Sequence, residues 1–192
     1  MELLKQKIKA EGEVYEGNIL KVDCFLNHQI DVPFIHEIGK EVHRLFSDCE
    51  VNKVLTIEAS GIAIGSMVAL EFGCPLVFAK KSKTKNNDGN VYSTPIDSFT
   101  HGITNNVIVS KRFLGKGDKV LIVDDFLAVG NALKGLISIV EQSGAELVGC
   151  CAVIEKGYQH GGDKLREQGV RVESLAIVES MNHETGEIVF RD

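Results

Sequence analysis

The stretch VLIVDDFLAVGNALKGLISIV, from Val120 to Val140, constrains the fold more than any other part of the chain. Val120 to Val123 is apolar without alternation, as expected for a central parallel strand covered on both faces. Two carboxylates, Asp124 and Asp125, end that run, and a helix is expected over 130–142, opened by Gly130. In an open parallel sheet, ligands bind beyond the carboxyl ends of the strands. A helix start directs free N–H groups and the positive end of its dipole into the same space. A ribose with a 5′-phosphate suits both features. Its hydroxyls would meet the carboxylates, directly or through Mg²⁺, and its phosphate would meet the helix start. Taken alone, the segment also admits a plainer account, in which Asp125 begins a turn and Gly130 relieves crowding.

The flanking sequence alternates strands and helices. Leu3, Leu4 and Ile8 mark a short amphipathic helix that stops before Gly12, and Ile19 to Leu26 reads as extended. Asp31 can cap a helix with Pro33 in its first turn, followed by a stripe of Ile35, Ile38, Val42, Leu45 and Phe46. Lys53 to Ile57 is a strand that runs into Glu58-Ala-Ser-Gly61 and an apolar helix ending near Gly73. Strands are expected at Pro75–Ala79, Val107–Val109 and 146–155, a helix at about 162–168, and short strands from Val170 onward. The repetition predicts an α/β protein with a parallel, helix-covered sheet. Lys80 to Gly102 lacks periodicity and is rich in Lys, Asn, Ser and Thr, which in a compact domain marks a functional or mobile segment.

Composition removes several classes. At 192 residues and 44% hydrophobic, the chain suits one globular domain with a real core. A net charge of -6 offers no global field for nucleic acid or an anionic membrane, so any phosphate recognition must be local. MELLKQKIKA has no long apolar core and reads as neither signal peptide nor membrane span. The cysteines at 24, 49, 74, 150 and 151 form no C-x-x-C, which fits reduced thiols and a cytoplasmic location. His36 and His43 would share a helical face, but nothing in the spacing supplies a metal-binding set. Gly130 and Gly135 have P-loop spacing, yet Leu136-Ile137 stands where Lys-Ser/Thr would grip phosphates. Neither G-x-G-x-x-G nor G-x-S-x-G is present, and a receiver domain would carry its acidic pair earlier.

Val120 to Ala132 resembles the phosphoribosyl pyrophosphate signature of the type I phosphoribosyltransferases: hydrophobic strand, two acidic residues, a short loop with a central glycine. Glu58-Ala-Ser-Gly61 resembles that family's pyrophosphate loop. Ala79-Lys-Lys-Ser82 with Val91-Tyr-Ser93 resembles its flexible flap, and Val153-Ile-Glu-Lys156 the strand end that reads a purine. Leu20 to Asp31 and Ile122 to Ala128 are most similar to the xanthine-using members of the Gram-positive type. The resemblance spans essentially the whole chain. It implies the family fold, a central parallel sheet flanked by helices with a small hood built from N- and C-terminal segments (about 1–30 and 155–192) and a flap over about 80–103. It also implies a homodimer whose subunits complete each other's sites.

The same resemblance implies roles. Asp124 and Asp125 would hold the ribose hydroxyls and orient a hydrated Mg²⁺. The backbone of Ala128, Val129, Gly130, Asn131 and Ala132 would cradle the 5′-phosphate. Ser60, Gly61 and Lys81 would meet the pyrophosphate in a loop with a strained peptide bond, with Lys80 an alternative to Lys81, while Lys83 and Lys85 read as solvated. Leu20, Asn27 and Lys156 would recognise xanthine and Phe126 would pack on the base. Two departures stand out. Ala128 and Ala132 replace the hydroxyl residues most relatives carry beside the loop glycine. Ala128 also stands where some purine-using relatives place an acidic proton acceptor, leaving that role unassigned, with Asp97 and His101 as candidates. Three functions are open: phosphoribosyl transfer to xanthine in purine salvage, the same transfer to hypoxanthine, guanine or adenine, and a regulator sensing phosphoribosyl pyrophosphate. The last would call for a DNA-reading domain or a basic face, and the chain offers neither.

Overall fold

The computed structural model describes residues 1–82, 89–98 and 103–191. Helix α1 (Glu2–Glu11) buries Leu4 and Ile8 and is followed by the hairpin β1 (Glu13–Tyr15) and β2 (Ile19–Lys21). Helix α2 (Val32–Leu45) starts as its sequence signals require: the Asp31 carboxylate accepts the Phe34 N–H at 3.1 Å, with Pro33 in the first turn. The remaining elements are β3 (Lys53–Ile57), α3 (Gly61–Phe72), β4 (Leu76–Ser82), β5 (Val91–Ser98), β6 (Ile103–Ser110), β7 (Lys119–Leu127), α4 (Asn131–Ser143), β8 (Glu146–Lys156), α5 (Gly161–Glu167), β9 (Val172–Met181) and β10 (Ile188–Phe190).

Eight strands form one sheet in the order β10-β9-β8-β7-β3-β4-β6-β5. The five inner strands from β9 to β4 are parallel, as the alternation of elements predicts. The flanks are antiparallel, β10 on β9 and β5 and β6 beside β4, so the sheet is mixed. Two apolar clusters cover the two faces of β7: Leu121 and Val123 point to one, Val120 and Ile122 to the other.

Four sequence expectations are corrected. Only 19–21 of the Ile19–Leu26 stretch is a strand; Asp23–Asn27 coils into a π-helical turn that buries Phe25 and Leu26 in the core. Of the short strands expected after Val170 only β10 is short; β9 runs for ten residues, because β8 pairs with it from Cys150 to Lys156. Within the aperiodic Lys80–Gly102 stretch, β5 pairs with β6 along its whole length, and cross-strand partners absent from the local pattern stabilise it. Finally, β7 does not end at Val123. It continues to Leu127, so Asp124 and Asp125 lie inside the strand.

That last correction positions the site. β3 pairs with β7 only as far as Ile122, whereas β8 continues alongside to Leu127. The carboxylates therefore have a paired strand on one side and an opening on the other. His36 Nε2 donates to the Glu71 carboxylate at 2.7 Å and His43 meets the Phe72 ring edge-on, so both histidines tie α2 to α3. Among the described residues no helix is long and apolar enough to cross a membrane.

Candidate active site

The opening beside β7 is a cleft of about 510 Å³ lined by 57–61, Lys81 and 124–133, with Ile96, Asn105 and Val107 from β5 and β6. Two helices start on it. At α3 the cap residue is Ser60, whose hydroxyl makes no capping bond, and at α4 it is Gly130, which has no side chain to offer. Neither helix has an acidic residue in its first turn, so both positive ends face the cleft without a carboxylate from their own helix, and the Asp124 Oδ1 would lie 3.5 Å from a Cβ on Gly61 at the α3 start. Gly130 sits at φ +88°, a conformation that glycine adopts at no steric cost.

Asp124 lies between these helix starts and is 4% exposed. Burial, then the neighbouring Asp125 carboxylate, pushes its pKa well above the ordinary carboxylate range. One Asp124 oxygen accepts the Asp125 N–H at 3.1 Å, and among the described residues Asp124 forms no ion pair. Asp125 is only half-buried and lines the same cleft. A pair of hard oxygen donors in an open cleft, one buried without a cation beside it, fits a small divalent cation that keeps its waters. No group of three or more metal-ligating side chains occurs among the described residues, so water or ligand oxygens would have to complete such a shell.

On the opposite wall the Glu58–Ala59 peptide is cis, and Glu58 accepts the Lys81 backbone N–H at 2.7 Å. This bond joins the loop after β3 to the end of β4 and holds Lys81 at the cleft rim. Glu58 was legible as part of a motif, but its contact with Lys81 was not, because the two are far apart in sequence. Under Gly61, the Thr56 hydroxyl is buried without a hydrogen-bond partner among the described residues, and a Cβ on Gly61 would collide with it. Ser60, Gly61, Lys81, Asp124, Asp125 and 128–132 are thus brought to one cleft. Cys150 and Cys151 lie in the sheet beneath it and are inert: burial pushes Cys150 up to about 12 and Cys151 higher.

Of the residues expected to read a base, Phe126 lines the cleft, whereas Leu20, Asn27 and Lys156 are not among its lining residues. Lys156 ends β8, with its ammonium 5.8 Å from the Phe126 ring centroid, and burial lowers its pKa. It donates to the carbonyl of Asn18 at 3.1 Å, and the Tyr158 hydroxyl donates to the same oxygen at 3.3 Å. Leu20 is buried in the core cluster against which Phe126 and Tyr158 pack, and it does not line the cleft. Asn27 ends the π-helical turn, its side-chain oxygen buried without a partner. Lys80 projects the other way, 5.7 Å from the Phe78 ring, on a separate groove. Lys83, Lys85 and His101 lie outside the described residues, as does the side chain of Asp97.

Residues 33–183 match the sequence profile of the phosphoribosyl transferase domain. The chain belongs to the phosphoribosyltransferase family. Among curated relatives, the xanthine phosphoribosyltransferase of Lachnoclostridium phytofermentans is 57% identical over 191 residues, covering 100% of this chain and 98% of that protein. Xanthine phosphoribosyltransferase 1 of Clostridium perfringens is 56% identical over 94% of this chain and 96% of its own length. Among solved structures, an APRTase from Giardia lamblia complexed with 9-deazaadenine superposes with a TM-score of 0.77 at 24% identity, covering 92% of this chain and 98% of that one. That likeness is one of fold. Across this phosphoribosyltransferase chain, the carboxylate pair and both helix starts fall within the matched residues.

Proposed function

We propose that this protein transfers the 5-phosphoribosyl group from phosphoribosyl pyrophosphate to xanthine, giving xanthosine 5′-monophosphate and pyrophosphate, a purine-salvage reaction. The observation that carries the reading is one cleft onto which two uncapped helix starts and a carboxylate pair, one member buried, all open. Full-length relatives named xanthine phosphoribosyltransferase support the choice of base.

In this reading the α4 start and the backbone of 128–132 hold the 5′-phosphate, and Asp124 and Asp125 hold the ribose hydroxyls. Ser60, Gly61 and the α3 start receive the pyrophosphate, with Lys81 beside it. A purine ring nitrogen displaces pyrophosphate at C1′ as positive charge develops on the ribose ring, so placement of charge and reactants supplies most of the rate. Asp124 and Asp125, with waters and substrate oxygens, would hold Mg²⁺, which neutralises charge on the phosphates when bound. Lys156 donates to O6 of the base while Phe126 packs on its face. Asn27 donates to O2, and its orphaned oxygen accepts from a neighbouring ring N–H. Leu20 then acts from the core, backing the base end rather than touching the cleft.

The segments 1–30 and 155–192 act as a hood in a single domain, and 80–103 as a flap. The Met1 ammonium on the Leu175 carbonyl and the Lys5–Arg191 contact support the first part of this reading. The protein works as a homodimer. Purified protein supplied with phosphoribosyl pyrophosphate, Mg²⁺ and each purine base separately tests the proposal. Xanthine is expected to give the highest kcat/KM, and a preference for adenine would overturn the assignment of the base end.

A further inference from the structure

The connection from β8 into α5 is short and wedged at three points. At its first residue, a Cβ on Gly157 would lie 2.9 Å from the Ile177 side chain and 3.2 Å from the Val178 carbonyl oxygen of β9. At Gly162, a Cβ would lie 2.6 Å from the carboxyl carbon of Glu155 and 2.8 Å from Arg166 Nη1. That carboxylate is fully buried and is met by Arg166 at 2.7 Å and by the Ser174 hydroxyl at 2.5 Å. Arg166 also donates to the Val172 carbonyl at 3.0 Å, so α5 is pinned to the sheet by a half-buried arginine on a buried carboxylate.

Between these anchors stands Gly161, against the back of the loop that opens α4. A Cβ there would sit 2.6 Å from the Val129 carbonyl carbon, 2.8 Å from the Gly130 nitrogen, and closer still to the Ala128 carbonyl oxygen. All three are backbone atoms, which cannot swing aside as the tip of a side chain can. Gly161 is buried and its φ lies outside the left-handed region, so its backbone suits any L-residue and only the missing Cβ explains the contact. From the other side, a Cβ on Gly130 would lie 3.5 Å from the Gly161 carbonyl oxygen. The two glycines stand back to back.

We infer that the 156–162 connection is a brace that holds the phosphate loop in place, with Gly161 a positioning residue for the 5′-phosphate. The inference rests on reading 128–132 as the loop that binds this phosphate. Backbone N–H groups hold an anion well only when their loop is fixed to within about half an ångström, and Ala128 and Ala132 supply no hydroxyl to add to them. The brace begins at Lys156.

Steady-state kinetics of Gly161→Ala, with circular dichroism to show that the fold is kept, tests the brace. The KM for phosphoribosyl pyrophosphate should rise about tenfold or more, since small misplacements are costly in oriented sites. The KM for xanthine should stay within about twofold. Gly169→Ala is the control: its φ of +84° strains any other residue, but no atom lies within 4 Å of a Cβ there, so neither KM should move. A folded Gly161→Ala with an unchanged KM for phosphoribosyl pyrophosphate overturns the brace, as does an equal rise in both constants. If Gly161→Ala does not fold, Arg166→Lys takes its place, because it keeps a charge on Glu155 but loses the bond to Val172. The same split is expected and the same outcomes decide. Gly130→Val measured alongside separates the two layers. If it leaves that KM unchanged, the phosphate-loop reading falls; if it alone raises it, only the brace falls.

Discussion

The ammonium of Lys156 donates to the main-chain carbonyl of Asn18, 138 residues earlier, at 3.1 Å. Asn18 sits at φ +60° in the β1–β2 turn, which turns its carbonyl toward the end of β8. The half-buried ammonium has a pKa below the ordinary lysine value of 10.5 because burial disfavours its charge. At neutral pH both folded and unfolded chains hold this proton, so burial costs stability there. The cost is relieved as pH rises through the folded pKa toward 10.5, where the unfolded chain still holds its proton. The charge that strengthens its donation to the base disappears over the same window. The KM for xanthine should therefore rise with pH below 10.5 in the native protein and stay flatter in Lys156→Arg, whose guanidinium remains charged. Comparing both proteins at each pH cancels ionisation of the base. Identical alkaline limbs would remove Lys156 from base recognition.

Asp124 and Asp125 should be separable by stability as well as by rate. Asp124→Asn and Asp125→Asn should each lower kcat at least about tenfold without loss of fold. Asp124→Asn also removes a carboxylate that is 4% exposed and has no ion pair among the described residues, so the ligand-free protein should melt higher. Each kcal/mol recovered is worth roughly 2–4 °C in a chain of this size. Asp125 is half-buried, and its substitution should leave Tm nearly unchanged. Full activity in the double variant would refute the ribose-binding role.

At Gly130 the demand is conformational. Valine at φ +88° is strained and crowds the loop, and Gly130→Val should raise the KM for phosphoribosyl pyrophosphate by about 10–100-fold. Gly130→Asn should recover part of the loss, because asparagine tolerates the left-handed region better. An effect confined to the KM for the purine would show that the loop serves the base instead.

Asn27→Ala tests the reading of O2. Xanthine should lose about 1–3 kcal/mol more in kcat/KM than hypoxanthine, which has no oxygen at that position. Equal losses on the two bases would leave Asn27 a structural residue of the π-helical turn.

Local pattern made much of this protein legible. The N-cap of α2, strand β3 and the sequence from β7 into α4 were readable because their signals lie within a few residues: Asp31 with Pro33, an apolar run, a glycine before an amphipathic stripe. What depended on pairing was not. β5 and the last residues of β7 are strands because of β6 and β8, and a stretch such as Val91–Ser98 or Asp124–Leu127 shows no trace of its partner.

The sequence by itself determined that carboxylates precede a glycine-opened helix and that an Ala-Ser-Gly loop follows a strand, because these are neighbours along the chain. Only the tertiary structure decided that the two helix starts share one cleft, that Glu58 holds the Lys81 backbone, and that Gly161 backs Gly130. The reason is physical. Helix starts and strand ends follow from local backbone chemistry, whereas a contact between residues dozens of positions apart depends on how closely packed layers seat against each other. Gly161 shows the limit plainly: with its φ outside the left-handed region, nothing in its own conformation calls for glycine, and the atoms that exclude a Cβ belong to residues 128–130.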